Sequence, residues 1–284
     1  MHLASHEKDP LTAAEERYLK ILYSHCKDIF TPSPLPSHDH NHHLRVWFYA
    51  SDLLKHLQKE NILLSHSQTA NLILAVFFHD TGLTKTLKKE HGAESRKLCE
   101  NFLTNNPRLF HHDVEQALLA IEMHDDKDYG KAGQKTAIPD ILSILSVCDD
   151  FDAYGAIGVI RYAEIYLLRG ITPDELPLIV LQNLERRYNY SVSHKWIPRE
   201  FFNKQKKRYE FTAGYYSKMA GEPESGEALT NAKIIDLYLN LVYSGKTGLP
   251  GYISSLSNSG NDFFHRYGII LKSELESFFI NLPV

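Results

Sequence analysis

Apolar residues recur at helical spacing in one segment after another, and short polar or proline-rich breaks separate them. Over residues 11–30, Leu11, Ala14, Tyr18, Ile21, Leu22 and Ile29 fall mostly on one side, which predicts an amphipathic helix lying over the domain from outside. Prolines 32, 34 and 36 then forbid a helix and force an extended connection, after which Ser37 or Asp39 can cap the next one. That helix, from about His40 to Asn61, carries Val46, Ala50, Leu53, Leu54 and Leu57 on its buried stripe. His42 lies one turn before Val46 on this stripe and is expected to point inward; His43, rotated about 100° away, is assigned to the surface.

Ser65 to Gln68 has the form of a capping box ahead of residues 70–78, a run so apolar all round that it belongs at the domain centre. It ends at His79-Asp80, where Thr81-Gly82 supplies a small residue that lets the chain turn away. A helix opening at His91 buries Leu98, Phe102 and Leu103. The next, over 113–124, buries Ala117, Leu118 and Ile121, and His124 continues that stripe. Residues 141–148 align Leu142, Leu145 and then Asp149. Thr172-Pro173-Asp174-Glu175 starts a helix with cap, proline and capping-box glutamate in place. Residues 199–218 mix Phe201, Tyr209 and Tyr215 with Lys204, Lys206, Lys207 and Arg208, and are read as a packed amphipathic helix with a solvated basic face in preference to a nucleic-acid surface.

The fold class expected is all-α. Residues 1–222 form a helical domain and 223–284 a C-terminal helical extension, set off by a Gly/Glu/Ser/Pro-rich linker at 220–227. Within the extension, helices at 230–243 and 272–282 are joined by a Gly/Ser/Asn-rich loop, and packing or homodimerisation is its expected use.

With 284 residues, 43% of them hydrophobic, the chain can bury a sizeable core. A net charge of −4 disfavours a long nucleic-acid track but leaves room for a small anionic substrate in a local basic pocket. The three cysteines, Cys26, Cys99 and Cys148, are far apart and are read as buried reduced thiols. No apolar run is long enough to span a bilayer and the first residues lack a signal-like pattern, so a cytoplasmic protein is expected. Histidine is the anomaly, for fourteen of sixteen stand at or before His124. His2, His6, His25, His56, His66, His111 and His112 lie in polar surroundings or near helix starts and are assigned to surface or capping positions.

The remaining histidines change the picture. His42, the His79-Asp80 pair and Asp149 stand on separate helices and can meet only if those helices pack around them. Imidazole and carboxylate without thiolate suit Mn, Fe, Co, Ni, Zn or Mg and argue against Ca. A buried His-Asp doublet with no cation would be costly, and an Asp on a buried stripe needs one too. Asp152 could accept from a ligand histidine and fix its tautomer. Arg45, Lys85 and Arg161 are candidate phosphate contacts, Arg45 reaching in from the rim or pairing with a surface carboxylate.

Ser37-His38-Asp39 with His42 and then Leu44-Arg45-Val46, the run from Val76 to Gly82 around His79-Asp80, and Asp149 followed by Asp150-Phe151-Asp152-Ala153 occur in that order. Together with the Gly155 to Gly158 run they resemble the HD superfamily of metal-dependent phosphohydrolases, over a motif core of roughly 37–161. The resemblance implies an HD-like helical bundle, one or two divalent ions, and His42, His79, Asp80 and Asp149 as ligands. It also implies hydrolysis of a phosphate ester or anhydride in a nucleotide or other small phosphorylated metabolite. Asp80 would take or orient the proton of the attacking water, and His91 or His124 would protonate the leaving oxygen. Relatives with two metals carry extra histidines after the doublet, so His91 and His124 either bind a second ion or orient substrate. Leu83 stands where some nucleotidase relatives place an acid, so that acid is not carried over. The alternatives are a non-catalytic nucleotide-sensing or protein-docking module and, since the superfamily reaches one such group, a di-iron oxygenase.

Overall fold

Asp9 starts the first helix: its carboxylate accepts from the N–H groups of Leu11 and Thr12, ahead of α1 (Pro10–Ala14). The chain continues through a π turn, Glu15–Leu19, into α2 (Lys20–Phe30). The π turn carries Glu15 to the buried Trp47, whose Nε1–H donates to Glu15 Oε1 at 3.0 Å. This is a computed structural model that describes residues 8–33, 35–126, 139–221 and 230–279, and among them every regular element is helical. His2, His6 and nearly all of the expected linker lie outside the described residues.

Helix α3 (His40–Lys59) is capped by Asp39, whose Oδ1 accepts from the Asn41 N–H at 2.9 Å. It packs against α2 on one side and on the other against α4 (His66–Phe78) and α7 (Ile141–Asp152). Both sides of its first turns are therefore covered, and His43, expected at the surface, is fully buried. The Ser65–Gln68 capping box is present, and every residue of α4 from Thr69 to Phe78 is buried, as its all-round apolarity requires. Helices α5 (His91–Asn105) and α6 (Glu115–Met123) complete the packing around α4.

A short 3-10 turn, Thr81–Thr84, follows the His79-Asp80 doublet. Its glycine serves close packing and not chain reversal, because Gly82 has no positive φ and a Cβ there would stand 2.0 Å from His91 O. The turn and the start of α5 are thus in backbone contact, which sets how near His91 comes to Asp80. Gly92 does the same one turn along: a Cβ there would meet Glu122 O at 2.3 Å.

Helices α8 (Gly155–Leu168), α9 (Leu176–Ser193) and α10 (Arg199–Ala220) close the other side of α7. The Thr172–Glu175 box forms, but the regular helix starts only at Leu176. On α10, Phe201, Tyr215 and Tyr216 are buried and Lys204, Lys206 and Lys207 exposed, while Arg208 turns inward to donate to Phe151 O and Tyr154 O, each at 2.7 Å.

After α11 (Thr230–Tyr238) and its π turn (Leu239–Tyr243), α12 (Leu249–Ser257) occupies part of the expected loop, and α13 (Asp262–Phe279) begins at Asp262 and not at 272. Pro250 sits in the first turn of α12, and Asn261 Oδ1 accepts from the N–H groups of Phe263 and Phe264. Residues 230–279 share the core of the preceding helices: Tyr238, Tyr252, Leu256 and Leu271 are buried in the same cluster as Ile157 and Ile160. Tyr267 donates its hydroxyl to Ala156 O at 2.8 Å, and Glu274 accepts from the N–H groups of Ala156 and Ile157, capping α8 where Gly155 turns with φ +82°.

All three cysteines are buried and free. His56, expected outside, is buried with its Nδ1 2.8 Å from Asp52 O. Among the described residues no helix is long and apolar enough to cross a membrane.

Candidate metal centre

The four expected ligands meet. His42 sits in the first turn of α3, His79 caps the C-terminus of α4, Asp80 follows it with φ −107° and ψ 6°, and Asp149 projects from α7. The helix ends at His79, so Asp80 escapes the 100° stagger of successive helical residues and both side chains reach one point. His42 Nε2 lies 3.2 Å from His79 Nε2, 3.5 Å from Asp80 Oδ2 and 3.6 Å from Asp149 Oδ1. His79 Nε2 is 3.7 Å from each of those carboxylate oxygens. Ligand atoms about 2.1 Å from one ion are about 3.0–3.4 Å apart in octahedral or tetrahedral arrangements, so these edges fit a single first-row or magnesium ion with small adjustment.

Asp80 belongs to a second cluster through its other oxygen. Oδ1 lies 3.0 Å from His124 Nε2 and 3.4 Å from His91 Nε2, and the two imidazole nitrogens are 3.3 Å apart. His91 opens α5 and His124 follows the last residue of α6; both are buried. Two groups able to hold a cation, His42–His79–Asp80–Asp149 and Asp80–His91–His124, are therefore joined by one carboxylate.

The ring orientations share a device. His79, His91 and His124 each place Nδ1 2.8 Å from the carbonyl three residues earlier, Val76, Lys88 and Ile121 respectively. An Nδ1–H that donates to a carbonyl leaves the Nε2 lone pair for a metal. His42 uses a carboxylate instead, with Nδ1 2.8 Å from Asp152 Oδ2. Asp152 is fully buried and also accepts from Arg45 Nε (2.8 Å), Arg45 Nη2 (2.9 Å) and Arg161 Nη1 (2.9 Å). Burial works against its charge, but the two guanidinium groups hold its carboxyl well below the usual range. His43 Nδ1 is 2.8 Å from the Val76 carbonyl that His79 also uses; burial, then the neighbouring His79 and His42, pull its pKa well below the ordinary value.

The pull of the carboxylates on protons matches a site built for positive charge. Burial opposes ionisation of both partners, yet His79 and the other imidazoles hold Asp80 well below the carboxylate range, and Asp80 lifts His91 to about 9. A divalent ion would take the place of those protons, which makes its binding pH-dependent.

The candidate anion contacts divide. Arg161 lines the 60 Å³ cavity over the ligands, with Nη2 3.2 Å from His42 Nε2. Arg45, expected at the rim, is instead buried beneath the site in the grip of Asp152. Lys85 is exposed and lines a neighbouring cavity. Two arginines that the sequence reading passed over, Arg169 and Arg187, line the metal cavity as well. Arg187 Nη1 donates to Asp150 Oδ1 at 2.5 Å and lies 3.4 Å from Asp149 Oδ2. Glu164, also passed over, is fully buried and gathers the Ser37 hydroxyl, the Tyr238 hydroxyl and His38 Nδ1 behind the site.

Residues 21–216 match a family model described as HD-CE. No curated protein and no solved structure matches the chain.

Proposed function

Because the chain belongs to the HD-CE family, with its HD-type domain spanning residues 21–216, we propose that it is a metal-dependent phosphohydrolase that cleaves a phosphate ester or anhydride in a nucleotide or other small phosphorylated metabolite. The observation that supports this most is the pair of ligand clusters joined at Asp80 beneath a cavity lined by Arg161, Arg169 and Arg187. His42, His79, Asp80 and Asp149 would hold one divalent ion, and Asp80, His91 and His124 a second. A bound divalent ion acidifies water and offsets charge on phosphoryl oxygens. Guanidinium groups at the mouth attract and orient the phosphoryl group, since a planar fork matches two of its oxygens. Asp80 orients or takes the proton of the attacking water where no second ion engages Oδ1. In that one-ion state His91 or His124, its Nε2 free of metal, returns a proton to the leaving oxygen. Free, buried thiols suit work in a reducing cytoplasm.

The test is a panel of phosphate monoesters, diesters and nucleoside triphosphates assayed with Mn, Co, Ni, Fe, Zn or Mg. Turnover that needs the metal and falls at least a hundredfold in Asp80→Ala and Asp149→Ala supports the reading; turnover indifferent to both substitutions sinks it. The joined clusters would also suit a di-iron oxygenase, so the ferrous protein is assayed for oxygen consumption in parallel.

A further inference from the structure

Beside the metal cavity lies a second one of 410 Å³, within the size range of small-molecule pockets. Leu35, Leu83, Leu87, Leu98 and Leu168 supply most of its wall, with Tyr243 beside them. Its side-chain polar groups are few: Ser33 and Thr84 hydroxyls, the Tyr243 hydroxyl and exposed Lys85. Three links make the two cavities neighbours on one rim. Leu83 lines both. Ile165, in the wall of the metal cavity, packs with Leu35 and Leu83 in a small apolar cluster of their own. Arg169, also in that wall, donates Nε–H to Leu87 O at 2.9 Å.

We infer that this leucine-walled cavity receives the organic body of the substrate whose phosphoryl group enters the metal site, and that the body is an alkyl or aryl group. The inference rests on the phosphohydrolase reading and narrows its substrate class. The metal cavity, at 60 Å³, takes a phosphoryl group and little more, so the organic body lies outside it; of its neighbours, the cavity across His91 and Asp125 carries the carboxylates Glu90, Glu122 and Asp126, unfavourable beside a phosphorylated ligand, whereas the one across Leu83 carries none. Leu83 forms that rim, and an aliphatic wall beyond it favours hydrocarbon. A nucleobase, with several donors and acceptors on its edge, would exchange water for leucine and lose most of its hydrogen bonds. Leu83 thus acts as a specificity residue at the position where some relatives carry an acid.

The experiment uses the full chain loaded with Mn and a series of n-alkyl phosphates from ethyl to hexyl, read both as KM and kcat and, by calorimetry, as Kd. KM and Kd should fall about fourfold for each added methylene until the cavity fills, with kcat unchanged, because the chain contributes equally to ground and transition states. Leu87→Glu, at a half-buried position in the wall, should flatten the series; Ile269→Glu, on the exposed face of α13, should keep its slope. Ethyl and hexyl phosphate bound equally well would overturn the inference while leaving hydrolysis of either intact. A sloping Kd series with no turnover of any member would uphold the cavity and remove the hydrolase reading.

Discussion

Asp152 Oδ2 lies 2.8 Å from His42 Nδ1, on the side of the imidazole away from the other ligands, and the same carboxylate holds both Arg45 and Arg161. One fully buried side chain thus orients a candidate metal ligand and is shared between two guanidinium groups. Asp152→Asn should lower metal affinity about 10–100-fold, the usual effect of losing such a partner. Asp152→Ala should in addition cost about 3–5 kcal/mol of stability, because Arg45 is left buried without its carboxylate. Calorimetric titration with Mn and denaturant melts of the metal-free protein separate the two effects.

Two ions per chain are expected in elemental analysis, and one after His91→Ala or His124→Ala, since those residues offer a ligand atom to the second cluster and none to the first. Saturating Mn should raise the melting temperature of the wild type, by about 2.7 kcal/mol of stabilisation at a hundred times Kd. The gain should shrink in Asp149→Ala. Equal stoichiometry in wild type and His124→Ala would contradict the two-cluster arrangement.

His38 gives a pH dependence with a defined sign. Burial, followed by the charge of Arg161, lowers its pKa from 6.5 to about 4 despite the hydrogen bond to Glu164, so the imidazole is uncharged near pH 7. Below pH 6.5 the unfolded chain takes up a proton that the folded one refuses, so this contribution is full above 6.5 and is lost as pH falls towards 4. The loss should reach on the order of 3 kcal/mol. His38→Asn should flatten the wild-type slope across that window in urea melts of metal-free protein, and an unchanged slope would refute the assignment.

Gly82→Ala should destabilise by about 1–3 kcal/mol, because its Cβ would meet the backbone of α5 at 2.0 Å and push His91 away from Asp80. Gly214→Ala, in the exposed middle of α10 with nothing within 4 Å of its Cβ, should stabilise by about 0.5–1 kcal/mol. Thermal melts of the pair test whether close approach or helix propensity governs each site.

A chain cut after residue 221 should fail to unfold cooperatively, since it loses Glu274 from the N-terminus of α8, the Tyr267 bond to Ala156 O and the packing of Tyr238 and Tyr252. Glu274→Ala alone should cost about 1 kcal/mol. A truncated chain with an unaltered melt would show that the last helices are dispensable.

The convergence of His42, His79, Asp80 and Asp149 was legible because each sits at a point the sequence marks: a turn before an apolar stripe, the end of an apolar helix, or the continuation of one. The inward turn of His42 followed from helical phase, whereas the partnership of Asp152 came from the general need of a ligand histidine for an acceptor. Phase could not say which second face would be covered, and so His43 was assigned to water although α2 lies over it. Arg45 failed for the same reason. Arg187 carried no signal at all, since an Arg186-Arg187 pair on a mixed helix looks like solvated charge until α9 is laid against α7. Helix α12 was hidden by Gly251 and its serines, although Pro250 marked its first turn.

Three of the four imidazoles are fastened to a carbonyl of their own chain, three residues back. Their bearing is therefore decided locally, as each segment coils, and assembly of the molecule has only to bring them within range. His42 differs, for its fastening comes from a carboxylate 110 positions away. It is the donor whose bearing exists only once distant parts of the chain have met, which makes a correctly turned His42 a reporter of completed folding.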